Sequence, residues 1–218
     1  MKPLRLSLVF VAIALAGTPA DAALTWASTT FSGQTKPLQK SLQLAYAFKN
    51  TGDKPVAIRD VQTNCDCTAA ATDKQIYQPG EAGVLSARFT VGDRGGVYQR
   101  AITVFTDDGT PPQRLTLQIE VPELAAVTPR VRDWAVGAEA AEQSVEVTVN
   151  DAIRVNFTEV FVSATGFKAR VEPIEAGRRY RVFVKPVSTA EATSAAIRLK
   201  GTAESGEVVI VSAYANVR

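Results

Sequence analysis

The chain has 218 residues, 46% of them apolar and 21% charged, a globular composition that excludes the polar, charge-rich profile of a disordered protein. Its 24 basic and 22 acidic residues leave a net charge of +2, too even a balance for a protein whose main partner is nucleic acid, because phosphate binding needs a basic surface that displaces counterions. Histidine is absent and Met1 is the only methionine, so the commonest acid–base catalyst and several soft metal ligands are missing.

Lys2 and Arg5 form a positive opening, Leu6 to Gly17 an apolar run, and Ala20-Asp21-Ala22 a small-x-small cleavage pattern. These features predict a signal peptide over residues 1–22 and a mature chain starting at Ala23 in the periplasm or secreted medium. The apolar run is shorter than the roughly 20 residues a spanning helix needs, and Thr18 stands where a lipidated cysteine would follow Leu15-Ala16-Gly17. Neither a membrane anchor nor a lipid anchor is expected, and no later stretch is long enough to span a bilayer. Cleavage removes Lys2, Arg5 and Asp21, leaving the mature chain near charge balance.

Strand signals then follow one another. Leu42, Leu44, Tyr46 and Phe48 alternate with Gln43, Ala45 and Ala47 until Asn50-Thr51-Gly52-Asp53 breaks the run. Val56, Ile58 and Val61 start a second strand, Val84 to Val91 form another after the turn Gln78-Pro79-Gly80-Glu81, and Val97 to Thr106 another after Gly92 to Gly96. Asp107-Asp108-Gly109 closes that strand, and Leu115 to Val121 alternates cleanly up to Pro122. Residues 23–122 thus read as one immunoglobulin-like sandwich of about seven strands. Residues 123–129, bounded by Pro122 and Pro129, read as a linker. Val145–Val149, Phe157–Ser163, Phe167–Val171, Tyr180–Val184, Ala196–Leu199 and Val208–Ala213 predict a second β-sandwich over residues 130–218. Residues 138–143 and 189–195 have the composition of a helical turn, each too short to carry a fold. The fold class is all-β, two tandem immunoglobulin-like sandwiches, with the second one's topology left open.

Phe48-Lys49-Asn50-Thr51-Gly52-Asp53-Lys54-Pro55, then Ile58, Val61, Asn64-Cys65-Asp66-Cys67-Thr68, Gln78-Pro79-Gly80-Glu81 and Thr106-Asp107-Asp108, resemble the bacterial domain-of-unknown-function family numbered fifteen-seventy-three. The resemblance covers about residues 42–108. It implies a seven-stranded sandwich related to the major sperm protein and cilia-associated domains, in an exported protein, and it implies no established activity. The family has Cys-Gly-Cys-Thr where this chain has Asp66 in the glycine's place; if that glycine takes a positive φ, Asp66 must bear modest strain.

Cys65 and Cys67 are the only cysteines and the sole seat of special chemistry in the sequence. In a regular strand they would share a face with Cβ atoms about 6–7 Å apart, beyond the roughly 4 Å of a disulfide, so joining them requires a bend. Three roles compete. A structural pair ranks first, a redox pair active in disulfide exchange second, and a soft-metal clamp completed by a second chain third.

Lys168, Arg170, Arg179, Arg181 and Lys185 alternate with apolar residues around Glu175-Ala176-Gly177-Arg178 and form a candidate anion-binding face, against the plainer reading of a solvated sheet surface. Asp107 and Asp108 lack further carboxylates at calcium-loop spacing and read as a turn. No nucleophile elbow, Ser-x-x-Lys or phosphate loop is present. The sequence therefore points to a non-catalytic binding or structural module with no cofactor and no bound metal, whose partner is an envelope protein or glycan. Disulfide exchange or soft-metal handling through Cys65 and Cys67, and strand donation by a periplasmic chaperone, are the alternatives.

Overall fold

Alternation with period two decides which face of most strands is buried. The computed structural model describes residues 23–218; the signal peptide read over residues 1–22 lies outside the described residues. In chain order the strands are β1 (Leu24–Trp26), β2 (Thr30–Gln34), β3 (Ser41–Asn50), β4 (Val56–Thr63), β5 (Thr68–Thr72), β6 (Ile76–Tyr77), β7 (Ala82–Thr90), β8 (Gly96–Thr106) and β9 (Gln113–Val121). The second half adds β10 (Ala125–Thr128), β11 (Val131–Trp134), β12 (Gln143–Val149), β13 (Val155–Val162), β14 (Phe167–Glu175), β15 (Arg179–Pro186), β16 (Thr193–Ala203) and β17 (Val208–Val217).

Four sheets result, in the orders β1-β3-β7-β5, β2-β9-β8-β4-β6, β10-β12-β15-β14 and β11-β17-β16-β13. The first two enclose one core, where Leu44, Tyr46 and Phe48 of β3 face Leu115, Leu117 and Ile119 of β9. The other two enclose a second core built on Val145, Val147, Tyr180, Val182, Ile197 and Leu199. Each such aliphatic side chain contributes roughly 1.5–3 kcal/mol on burial.

The second sandwich repeats the first strand for strand, and only β6 has no counterpart. In both, the opening segment splits between the sheets. β1 pairs antiparallel with β3 and β2 parallel with β9, just as β10 pairs antiparallel with β12 and β11 parallel with β17.

Two sequence expectations change. Ala125–Thr128, inside the stretch read as a linker, is strand β10, with Ala125 and Val127 buried; an alternation of four residues between prolines is too short to stand out. Residues 138–143 and 189–195 form no helix: Gly137 N–H donates to Thr189 O at 2.8 Å, tying the two loops together, and Thr193 already begins β16. Between β2 and β3, Leu38 is the only non-glycine residue at positive φ (65°) among the described residues, and its side chain packs against the second core.

Tyr46, buried in the first core, donates from its hydroxyl to Thr116 O at 2.7 Å, and burial pushes its pKa up to about 12. In the unfolded chain it ionises near 10. The raised value means that its stabilising share is complete below pH 10 and is lost as pH rises through 12. Urea unfolding of the wild type is expected to weaken by up to about 2 kcal/mol between those pH values, a loss absent from Tyr46→Phe.

Candidate functional site

The cysteine pair lies where the chain crosses from one sheet of the first sandwich to the other. β4 ends at Thr63 in one sheet and β5 starts at Thr68 in the facing one, leaving residues 64–67 as the bridge. Asn64 halts the pairing with β8: its N–H donates to Ala101 O at 3.2 Å and its Oδ1 accepts from Ala101 N–H at 3.0 Å. Thr68 N–H then donates to Cys65 O at 3.3 Å and Thr90 N–H to Cys67 O at 2.7 Å. This bend brings the Cα atoms of Cys65 and Cys67 to 5.3 Å, and the sulfurs are joined in a disulfide. Asp66 is exposed and is not among the residues at positive φ, so the aspartate bears no left-handed strain.

The two sulfurs have unlike surroundings. Cys67 packs against the first core, and Arg100 Nε donates to its Sγ at 3.2 Å. The Arg100 guanidinium also sits 5.2 Å from the Tyr98 ring centroid and bonds Gln99 O at 2.9 Å. Thr68 is 3% exposed, and its hydroxyl is 3.6 Å from Cys65 Sγ and 3.9 Å from Cys67 Sγ. Sequence reading missed Arg100, because it is 33 positions from Cys67 and sits in a strand with no distinguishing spacing. No group of three or more histidine, cysteine or acidic residues suited to a metal ion occurs among the described residues.

The equivalent bridge of the second sandwich joins β13 to β14. Ser163 N–H donates to Ala196 O at 3.0 Å, Ser163 Oγ accepts from Ala196 N–H at 2.8 Å, and Val187 N–H donates to Gly166 O at 2.8 Å. Aligned on these bonds, Ala164 and Gly166 take the places of Cys65 and Cys67, Phe167 that of Thr68, and Ala195 that of Arg100.

Lys168, Arg170, Arg179, Arg181 and Lys185 do share one outer sheet face, with Lys168 opposite Lys185. The arginines are already engaged. Arg170 pairs with Glu142 and with Glu172 at 3.2 Å, while Arg179 and Arg181 reach Glu146 at 3.3 and 3.1 Å. Hydrogen bonds from Arg181 and Arg179 hold the Glu146 carboxyl below the usual range. Glu142 and Glu146, one before β12 and one on it, are the partners the sequence did not reveal. Such exposed pairs are screened by solvent and contribute little, the behaviour of a solvated sheet surface. Asp107 accepts from Ala57 N–H at 2.7 Å and pairs with Arg59, and Asp108 Oδ1 accepts from the Thr106 and Thr110 hydroxyls at 2.7 Å. Burial raises the Asp108 pKa, but the bonds from Thr106, Thr110 and the Ala23 amide outweigh it and the net shift is downward. Both aspartates build the turn.

Residues 24–121 match the family described as "Protein of unknown function (DUF1573)". The match spans the first sandwich and just under half of the chain. No curated protein matches the sequence. Among solved structures the chain is similar to a protein of unknown function from Porphyromonas gingivalis W83, at 10% identity over 89% of this chain and 99% of that one, with a TM-score of 0.36. It is also similar to the ASH/PapD-like domain 7 of human CEP192, at 10% identity over 55% of this chain and 98% of that one, with a TM-score of 0.42. A third likeness is the CupB2 chaperone of Pseudomonas aeruginosa, at 11% identity over 87% of this chain and 99% of that one, with a TM-score of 0.36. The cysteine bridge and Arg100 both lie inside the DUF1573 segment.

Proposed function

We propose that the mature protein is a binding module of the bacterial envelope, and that its second sandwich docks a protein partner. The observation that carries this reading is the contrast between that sandwich's two outer faces. On the sheet containing β14 and β15 the outward arginines are paired with Glu142, Glu146 and Glu172, Phe183 is covered by the Arg170 guanidinium, and Lys168 and Lys185 complete a charged face. On the opposite sheet, β17 presents Val208, Ile210 and Tyr214 outward at 56%, 58% and 45% exposure, and Val131 of β11 stands beside Tyr214 in the register. A sheet face meant only for water would carry polar side chains at these alternate positions, and apolar rows of this kind mark interaction sites. Arg198 is exposed opposite Ser212 in the same face and has no carboxylate partner among the described residues. A partner surface with apolar side chains and a carboxylate complements it.

Crosslinking from positions flanking Ile210 in intact envelopes, followed by mass spectrometry, tests the proposal. One protein species is expected, and the pair Ile210→Ser, Tyr214→Ser should lower its yield at least about tenfold. Unchanged capture, or capture of glycan alone, overturns it. Strand donation finds less support. The first sandwich's edge strands are two to five residues long, and the longer edges β13 and β14 carry bulges, with Pro173 and several charges on β14, all of which obstruct pairing with another strand.

A further inference from the structure

Two turns of one design connect the sheets of the two sandwiches, and only one contains sulfur. The bridge at 163–166 keeps the bonds that anchor its two ends, those of Ser163 with Ala196 and that of Val187 N–H to Gly166 O, with Ala164 and Gly166 where Cys65 and Cys67 stand; it has no counterpart of the Thr68 N–H to Cys65 O bond. Crossing between the sheets at this point therefore does not require a disulfide. A bond between residues two apart also restricts the unfolded chain very little, because the stabilisation a disulfide gives grows with the length of the closed loop.

The departures from the sulfur-free turn are polar and converge on the sulfurs. Arg100 replaces the buried Ala195 and donates to Cys67 Sγ at 3.2 Å. Thr68 replaces the buried Phe167 and sets a hydroxyl 3.6 Å from Cys65 Sγ. A cation beside a sulfur favours its thiolate, and a thiolate of lowered basicity leaves faster in disulfide exchange. Both cysteines are half-buried, but only Cys67 packs against the first core. Attack from solvent thus falls on Cys65, with Cys67 departing toward Arg100.

We infer that Cys65 and Cys67 form an exchange-competent disulfide that accepts two electrons from a dithiol of a protein client, with Cys67 as the leaving thiolate and Arg100 as its stabiliser. A client thiolate attacks Cys65 Sγ, the Cys65–Cys67 bond breaks, and its electron pair leaves on Cys67 Sγ. A mixed disulfide now joins the client to Cys65. The client's second thiolate attacks the client sulfur of that bond and expels Cys65 as a thiolate. The client ends as a disulfide, the protein as a dithiol, and the two protons given up by the client's thiols pass to Cys65 and Cys67 or to solvent. A single exchange suffices, so the inference stands apart from the docking face of the second sandwich.

The test uses the full mature chain and a model peptide dithiol. Mass spectrometry of the acid-quenched reaction is expected to find the mixed disulfide on Cys65 in large excess over Cys67. In the reduced protein, alkylation against pH should show Cys67 titrating at least one unit below the ordinary thiol value of about 8.5. Arg100→Met should slow exchange about tenfold and return Cys67 toward 8.5, while Arg100→Lys retains part of the rate. The double variant Cys65→Ser, Cys67→Ser should remain folded with a near wild-type melting curve. Mixed disulfide on Cys67, ordinary titration of both thiols, a rate indifferent to Arg100, or unfolding of the double serine variant would each overturn the proposal.

Discussion

Tyr77→Ala is expected to lower the stability of the first sandwich by about 3–5 kcal/mol, enough to leave a module of its size marginal. Tyr77 is 0% exposed although β6 contains only two residues. Its ring meets Phe48 edge-on with centroids 4.7 Å apart, and Phe48 in turn lies 4.8 Å from Trp26. Gly83, opposite Phe48 in the register, leaves the room for this stack: a Cβ there would lie 2.4 Å from Tyr77 Cε1 and 2.5 Å from Phe48 Cζ. The alanine would empty a ring-sized volume that these neighbours are too constrained to fill. The hydroxyl adds a smaller share by donating to Asp73 Oδ1 at 2.7 Å and accepting from Lys74 N–H at 3.2 Å. Tyr77→Phe removes only that share, so it should cost about 1 kcal/mol. Urea denaturation of the two variants separates packing from hydrogen bonding; equal losses would refute the assignment.

Gly201→Ala should destabilise the second sandwich by about 3 kcal/mol, the upper end of the range for overpacking. A Cβ at Gly201 would lie 2.5 Å from Asn156 O and 2.8 Å from Phe157 Cδ1. The first obstacle is backbone, held where β13 bulges between Phe157 and Glu159, so rotamer changes cannot relieve it. Gly92→Ala provides the control. A Cβ there meets nothing within 4 Å, and the change should stay within about 0.5 kcal/mol. Melting temperatures of both variants check the contrast.

Fold was legible wherever one strand face is buried over several residues. Leu115 to Val121 alternates without interruption and lies within β9, and Leu42 to Phe48 lies within β3. The short strands β1, β2, β5, β6, β10 and β11 escaped, because two to five residues give too few periods to distinguish from a loop; long-range pairing forms them. Val208 to Val211 was legible as strand, yet four apolar residues in succession hide which face is inward. The outward set of Val208, Ile210 and Tyr214 emerges only from the register with β16. At the candidate site the thiols and the need for a bend were visible in the sequence. Arg100 and the acidic partners of Arg170, Arg179 and Arg181 were not, since their contacts cross between strands far apart in the chain.

Leu38 links the two halves mechanically. A leucine at φ 65° carries a local conformational cost that persists only under external constraint, and here the constraint is its contact with the other half's core. Melting either half releases that clasp and uncovers greasy surface on its neighbour, so heat or a pulling force should be felt by both together.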